Sequence, residues 1–199
     1  ILGGAECTLW ELCNAYYQLA KKANNEEIIK LKTVSSKEKS FIKYPFLSAE
    51  SAFMTAEMIT ETKRPLEQGA WKIFSSARKV AWKTGTSYGH RDAWAIGTTP
   101  EYVVGVWVGN ADGEGRPGLT GVKKAAPLMF DVFRQLPETS WFKTPGKLVP
   151  IKTCKKSGYL PTSSCKETVT IMAPAMGIHQ KSCPFHKIIQ LDSTQKFRI

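Results

Sequence analysis

The chain has 199 residues, with 28 Lys and Arg against 17 Asp and Glu and a formal net charge of +11. With 42% hydrophobic and 11% aromatic residues it can bury a core, which excludes wholesale disorder and collagen-like repeats. The length suits one domain with a small appendage, and no apolar run reaches the roughly 18–20 residues that cross a bilayer.

The longest apolar run, YVVGVWVG at 102–109, fits a buried strand. No signal peptide is visible. The chain opens at Ile1, without an initiator Met and in a helical context, so it is expected to be a piece of a longer polypeptide. Its positive excess reads first as a Lys-rich surface. Lysines outnumber arginines 22 to 6. Base readout and bidentate phosphate contacts favour Arg, and no nucleic-acid-binding motif is present, so no nucleic-acid partner is expected.

Residues 8–23 read as a helix opened by a Thr8/Glu11 capping box, with Leu9, Leu12, Tyr16, Leu19 and Ala23 on its buried face. Residues 24–47 are polar and Lys-rich, the texture of a linker or mobile loop. A second helix is expected over 48–62, with Ser48 as N-cap and Ala52, Phe53, Ala56 and Ile59 buried. Three segments, 79–87, 92–98 and 102–109, are rich in Val, Trp, Thr and Ile and are broken by turn residues, which suggests consecutive antiparallel strands. Each holds one tryptophan, Trp82, Trp94 and Trp107, read as core packing. A Gly/Pro-rich loop at 111–119 precedes a third helix over about 122–136. Its expected stripe is Ala125, Leu128, Met129, Val132, Phe133 and Leu136, and Pro127 fits only its first turn. Beyond 140–150 the texture turns Cys-, Ser- and Lys-rich. The expected division is therefore a main domain over 1–145 and a small module over 146–199. The fold class is α+β, an antiparallel sheet packed with helices.

The sharpest local string is Trp82-Lys83-Thr84-Gly85-Thr86-Ser87. In an extended strand Lys83, Gly85 and Ser87 face one way and Trp82, Thr84 and Thr86 the other. Gly85 lets something approach the backbone closely. A free strand edge offers N–H groups to a carbonyl oxygen, and Lys83 offers charge to a carboxylate. A solvated lysine in an ordinary strand is the competing reading. His90, Arg91 and Asp92 follow directly; His90 and Arg91 are candidates for a cleft rim, or else part of a polar turn.

Lys-Thr-Gly is the third element of the set S-x-x-K, S-D-N, K-T-G. The stretch AWKTGTSYGHRDAWAIGTTPEYVVGVWVGN resembles the KTG region of bifunctional, class A penicillin-binding proteins of the 1C type. Ile1-Leu2-Gly3-Gly4-Ala5-Glu6 before Thr8-Leu9 resembles that family's LGG-x-E-x-T-L segment, and AAPLMFDVF at 125–133 resembles the last helix of its transpeptidase domain. The resemblance spans about 1–137 in the family's order. It implies a partial penicillin-binding transpeptidase fold, similar to serine β-lactamases, over 1–145 and the start of a C-terminal accessory module over 146–199.

The resemblance implies a peptidoglycan D,D-transpeptidase in which a serine attacks a D-Ala-D-Ala stem peptide, forms an acyl-enzyme and is trapped by β-lactams. Lys83, Thr84, Gly85, Thr86 and Ser87 would bind the substrate. Lys83 would take its carboxylate, the hydroxyls of Thr84 and Thr86 would lie beside it, and the Thr86 N–H would be an oxyanion donor. No cofactor is implied. An upstream glycosyltransferase domain and membrane anchor, and a site on the periplasmic side of the inner membrane, are implied for the parent. No Ser-x-Asn occurs in the chain, and the six Ser-x-x-Lys matches, beginning at Ser36, Ser40, Ser76, Ser140, Ser163 and Ser193, stand outside the family's order. The nucleophile is therefore expected upstream of Ile1, and this chain is expected to be inactive alone. Sheet edges left without their upstream strands would invite homodimerisation. A serine β-lactamase relative and a non-catalytic basic envelope-binding module are the alternatives.

Cys7 and Cys13 lie six apart on or beside the first helix and read as small buried hydrophobes. Cys154, Cys165, Cys183 and His186 are spaced C-x10-C-x17-C-x2-H. Four such ligands permit zinc, but no paired C-x-x-C is present. CKKSGYLPTSSC at 154–165 resembles the tail of 1C-type chains, which work where disulfides persist. A Cys154–Cys165 disulfide is thus the first expectation, with no metal, ahead of zinc on all four residues and of free thiols.

Overall fold

A computed structural model describes residues 6–29, 47–62, 64–65, 78–196 and 198. The opening Ile1–Ala5 segment, most of the 24–47 stretch, and the Ser-x-x-Lys matches beginning at Ser36, Ser40 and Ser76 lie outside the described residues, wholly or in part. The chain divides into two compact units, Ile1–Pro145 and Gly146–Ile199.

In the first unit, helix α1 (Leu9–Ala23) starts with the predicted capping box. Thr8 Oγ1 accepts from the Glu11 N–H at 3.2 Å, and the Glu11 carboxylate accepts from the Thr8 N–H at 2.8 Å. Two N–H groups that a helix start otherwise leaves unsatisfied are thereby paired. The buried face differs from the predicted stripe. Asn14, Gln18, Ala20 and Ala23 are buried, whereas Leu12 and Tyr16 are half-buried because they line a cleft. Helix α2 (Ala49–Thr60) is capped by Ser48, whose Oγ accepts from the Ser51 N–H at 3.1 Å. Ala52, Phe53 and Ala56 are buried as predicted, but Thr60 takes the place given to Ile59. The two helices pack on each other.

Strands β1 (Ala81–Thr86), β2 (Asp92–Thr98) and β3 (Val103–Gly109) form an antiparallel sheet in the order β1-β2-β3. Lys83 pairs with Ile96, Gly85 with Trp94, Trp94 with Trp107, and Ile96 with Gly105. Among the described residues, β1 and β3 each keep one outer edge without a strand partner.

Helix α3 (Ala126–Gln135) covers one face of this sheet, after a π-helical turn at Gly121–Ala125, and Pro127 stands in its first turn. Its contact face is Ala126, Met129, Phe130 and Phe133, packed with Val80, Trp82, Ala93 and Ala95. Leu128 and Val132 are 49% and 43% exposed, against the predicted stripe. Ala125, Met129 and Phe133 of that stripe are buried, but the covered face turns toward Ala126 and Phe130, which leaves Leu128 and Val132 at its exposed margin. A Cβ on Gly97 would sit 2.7 Å from Phe133 Cε2 and 2.9 Å from Met129 Sδ. Helix α1 presses the opposite face, where a Cβ on Gly105 would meet Cys13 Sγ at 2.3 Å.

Of the three tryptophans, only Trp82 is fully buried, edge-on to Phe130 with centroids 5.0 Å apart. Trp94 is half-buried and Trp107 is 37% exposed; they pair on the α1 face, where Trp94 lines a cleft. Downstream of α3, the Glu101 carboxylate accepts from both the N–H and the hydroxyl of Ser140. Partial burial acts to raise the Glu101 pKa, but the Ser140 hydrogen bonds outweigh it and hold the carboxyl below its ordinary value.

In the second unit, β4 (Leu148–Cys154) and β5 (Thr168–Pro174) form a two-stranded antiparallel sheet, with Ile151 opposite Ile171. Its buried apolar residues are Leu148, Ile151, Cys154, Ala173 and Cys183.

Gly97→Val is expected to destabilise the first unit by about 1–3 kcal/mol through overpacking against Phe133 and Met129, read as a lower urea midpoint. Ser140→Ala is expected to raise the Glu101 pKa in a carboxyl NMR titration. Since the folded value lies below the unfolded one, this contact stabilises above the unfolded pKa and is lost as pH falls through the folded value.

Candidate functional site

A cleft of about 630 Å3 runs along β1 on the α1 side of the sheet. Lys83, Thr84, Gly85, Thr86, Ser87 and Arg91 all line it. Lys83 is exposed and its ammonium donates to the Thr84 carbonyl at 2.7 Å. Gly85 leaves the ring of Trp94, its cross-strand partner, open to the cleft: a Cβ there would lie 3.6 Å from Trp94 Cβ. Tyr16 from α1 and Tyr88 from the hairpin turn add aromatic walls. Burial pushes the Tyr16 hydroxyl pKa up, so it remains a neutral donor.

The register fixes where the β1 backbone points. The Ser87 N–H donates to the Asp92 carbonyl at 3.0 Å, so Ser87 and Asp92 form a hydrogen-bonded pair. Antiparallel pairing alternates, so Lys83 and Gly85 spend their backbone groups on β2, and Thr84 and Thr86 turn theirs outward. Two contacts agree with this alternation: the outward Thr84 carbonyl receives the Lys83 ammonium, and the outward Trp82 carbonyl receives the Thr62 hydroxyl at 3.4 Å. The outer edge of β1 therefore presents the Thr86 N–H along the cleft.

The side chains of Thr84 and Thr86 stand on the face opposite Lys83. Thr86 Oγ1 accepts from the Gly121 N–H at 3.1 Å, which ties β1 to the π turn and leaves the hydroxyl proton to donate elsewhere. Ser87 closes the hairpin, its Oγ accepting from the Asp92 N–H at 2.8 Å. Asp92 in turn accepts from Trp107 Nε1 at 2.8 Å.

His90 is not on the cleft. It adopts φ +55, its carbonyl accepts from the Arg116 N–H at 3.0 Å, and its Nδ1 meets the Leu119 carbonyl at 3.1 Å. A carbonyl only accepts, so Nδ1 carries the proton. His90 thus pins the 110–119 loop to the hairpin, which corrects its reading as cleft rim; Arg91 keeps that place. Sequence reasoning missed Tyr16, Tyr88 and Trp94 as cleft walls. Trp94 was recoverable from the strand alternation once Gly85 is placed opposite it.

Among the described residues, Ser87 is the one serine lining the cleft. The Cys7 thiol at its mouth is raised by partial burial and then by the Glu11 carboxylate, which keeps it protonated and a poor nucleophile. The cleft can therefore bind an anion and offer an N–H to a carbonyl oxygen, while the described residues place no activated nucleophile in it.

The cysteines of the second unit depart from the first expectation. Cys154 and Cys165 are not bridged, and all five cysteines are free. Instead, Cys154, Cys165, Cys183 and His186 converge, with all four ligand atoms within 4.8 Å of one another. His186 Nδ1 is 3.4, 3.4 and 3.3 Å from the sulfurs of Cys154, Cys165 and Cys183. Ser157 Oγ donates to Cys183 Sγ at 3.2 Å, and its hydrogen bonding is the largest cause holding the Cys154 and Cys183 thiols below their ordinary pKa.

The chain matches no family model. It is 34% identical over 132 residues to penicillin-binding protein 1C of Escherichia coli, covering 66% of this chain and 16% of that protein. It is 31% identical over 119 residues to penicillin-binding protein 1A of Clostridium botulinum, covering 58% and 14%. A crystal structure of penicillin-binding protein 1A from Haemophilus influenzae matches 64% of this chain and 21% of that one, at 22% identity and a TM-score of 0.45. The chain thus spans about one sixth of the length of the curated relatives it matches. On these sequence similarities, the chain is similar to a part of the class A penicillin-binding proteins.

Proposed function

We propose that this chain supplies the carboxylate-binding wall of a D,D-transpeptidase site in a longer parent protein that crosslinks peptidoglycan stem peptides. The observation that carries the reading is Lys83 standing exposed on the edge strand of the cleft, beside an outward Thr86 N–H. Lys83 would bind the terminal carboxylate of a D-Ala-D-Ala peptide or of a β-lactam. The Thr86 N–H would take the carbonyl oxygen as it gains charge; losing one such donor typically costs about 2.7–4 kcal/mol of transition-state stabilisation. Trp94 and Tyr16 would exclude water from the bound peptide, which strengthens both contacts. The Thr86 hydroxyl remains a donor toward the carboxylate, and Ser87 keeps the hairpin that aims the strand.

The attacking serine and the S-x-N residues would come from parts of the parent outside this sequence. The parent would carry a glycosyltransferase domain and an anchor, and would work on the periplasmic side of the inner membrane. Among the described residues of this chain, no helix is long and apolar enough to cross a membrane. The unit Ile1–Pro145 is read as the C-terminal portion of the transpeptidase domain, and Gly146–Ile199 as the start of an accessory module.

This chain alone is expected to take no covalent label from a fluorescent penicillin; stoichiometric labelling would overturn the reading. In the full-length parent, Lys83→Met is expected to slow penicillin acylation about 10–100-fold, the equivalent of the ~1.5–3 kcal/mol of a charged hydrogen bond. The melting temperature should barely move, since an exposed substitution of this kind changes stability by no more than about 0.5 kcal/mol. An unchanged acylation rate would sink the Lys83 assignment, and rapid antibiotic turnover would favour a β-lactamase-like activity. The outer edges of β1 and β3, without strand partners among the described residues, also support pairing of two copies of the isolated chain. Light scattering over a dilution series should then show a concentration-dependent dimer, and a constant monomer would refute it.

A further inference from the structure

The second unit is difficult to account for by its apolar core alone. It comprises Gly146–Ile199, holds a two-stranded sheet, and buries few apolar side chains. Met176, Phe185 and Ile188 are 83%, 70% and 85% exposed. A two-stranded hairpin is marginal in water, and units of this size generally need a disulfide or a metal. No disulfide is present among the cysteines.

The Cys-His quartet lies where a staple is most effective. Cys154 ends β4, Cys165 precedes β5, and Cys183 and His186 belong to the segment that returns to the sheet after Pro174. The backbone already bends around this point. Gly158, at φ +75, donates its N–H to the Cys154 carbonyl at 2.8 Å, the Cys154 N–H donates to the Tyr159 carbonyl at 2.8 Å, and the Cys183 N–H donates to the Leu160 carbonyl at 2.8 Å. The Thr162 N–H points at Cys165 Sγ from 3.4 Å.

Hydrogen bonding within the quartet cannot explain its shape. An imidazole Nδ1 offers one proton or one lone pair, yet three sulfurs surround it at nearly equal distance. One cation at the centre satisfies all four atoms. With metal–sulfur bonds of about 2.3 Å and a metal–nitrogen bond of about 2.0–2.1 Å, a tetrahedral ion sets sulfur–nitrogen edges of about 3.6 Å, close to those observed. Three soft thiolates and one imidazole in a closed four-coordinate arrangement select zinc over oxygen-seeking cations.

We propose that Cys154, Cys165, Cys183 and His186 bind a single structural Zn2+ that holds the second unit together. Binding forms three Zn–S bonds and one Zn–N bond and releases the thiol protons to solvent, with no change of oxidation state. Three thiolates around a divalent ion leave one net negative charge. Lys155, Lys166 and Lys187 each directly follow a ligand in the chain, which suits that charge. Cys183 and His186 form a C-x2-H pair, and Ser157 Oγ buttresses Cys183. The site has no open coordination position for a substrate, so its role is to fold the unit.

The test is made on the whole untagged chain, purified without chelator and dialysed. Elemental analysis is expected to give one zinc per chain, and zinc X-ray absorption to give three sulfurs and one nitrogen in the shell. Replacing zinc with Co2+ should produce intense tetrahedral thiolate bands. Cys183→Ser and His186→Ala should lose the metal, and Ser157→Ala should weaken it about 10-fold, as outer-shell partners do. If the ligand variants fail to fold, the shell composition and the Co2+ spectrum of the unmodified chain still decide. A chain with no zinc and a Cys154–Cys165 disulfide overturns the proposal, as does zinc retained in full by Cys183→Ser.

Discussion

The first unit depends on how closely two helices approach the two faces of its sheet. Gly97 on β2 lies against Phe133 and Met129 of α3, and Gly105 on β3 lies against Cys13 and Leu9 of α1. No side chain fits at either glycine without moving a neighbour. A one-residue slip of register would carry every side chain to the wrong face and put bulk at both contacts. The register is therefore locked, and with it the face on which Lys83 stands.

That lock explains the cleft without invoking any property special to the lysine. Alternation sends Trp82 into the core and Lys83 to the cleft. The same phase gives β2 the backbone groups of Lys83 and Gly85 and leaves those of Thr84 and Thr86 outward. Charge and donor thus arise from neighbouring residues of one strand, held by a hairpin that Ser87, Asp92 and Trp107 close through hydrogen bonds. His90 serves the same end from outside, fastening the following loop to the turn.

The second unit solves its stability by another route. Long apolar side chains there are exposed, and what is buried includes two cysteines. Convergent polar ligands replace a large core when a chain is this short. Cys154 and Cys165, the pair for which the family resemblance implied a disulfide, stand in a four-residue cluster with Cys183 and His186, which follow β5 in the chain.

Local features were legible in the order of residues alone: the Thr8–Glu11 capping box, the Ser48 cap, three antiparallel strands with their turns, and a Lys-Thr-Gly strand with Lys83 and Trp82 on opposite faces. These follow from side chains reaching backbone groups a few residues away and from a period of two. Which faces are covered came from the packing of distant segments. It turned Leu128 and Val132 to solvent after a π turn, opened Trp94 to the cleft, and took His90 away from it. It also drew Cys183 and His186 in beside Cys154 and Cys165, all four ligand atoms within 4.8 Å of one another. Each of these depends on partners distant in the chain, and spacing along a sequence carries no information on where separate segments meet.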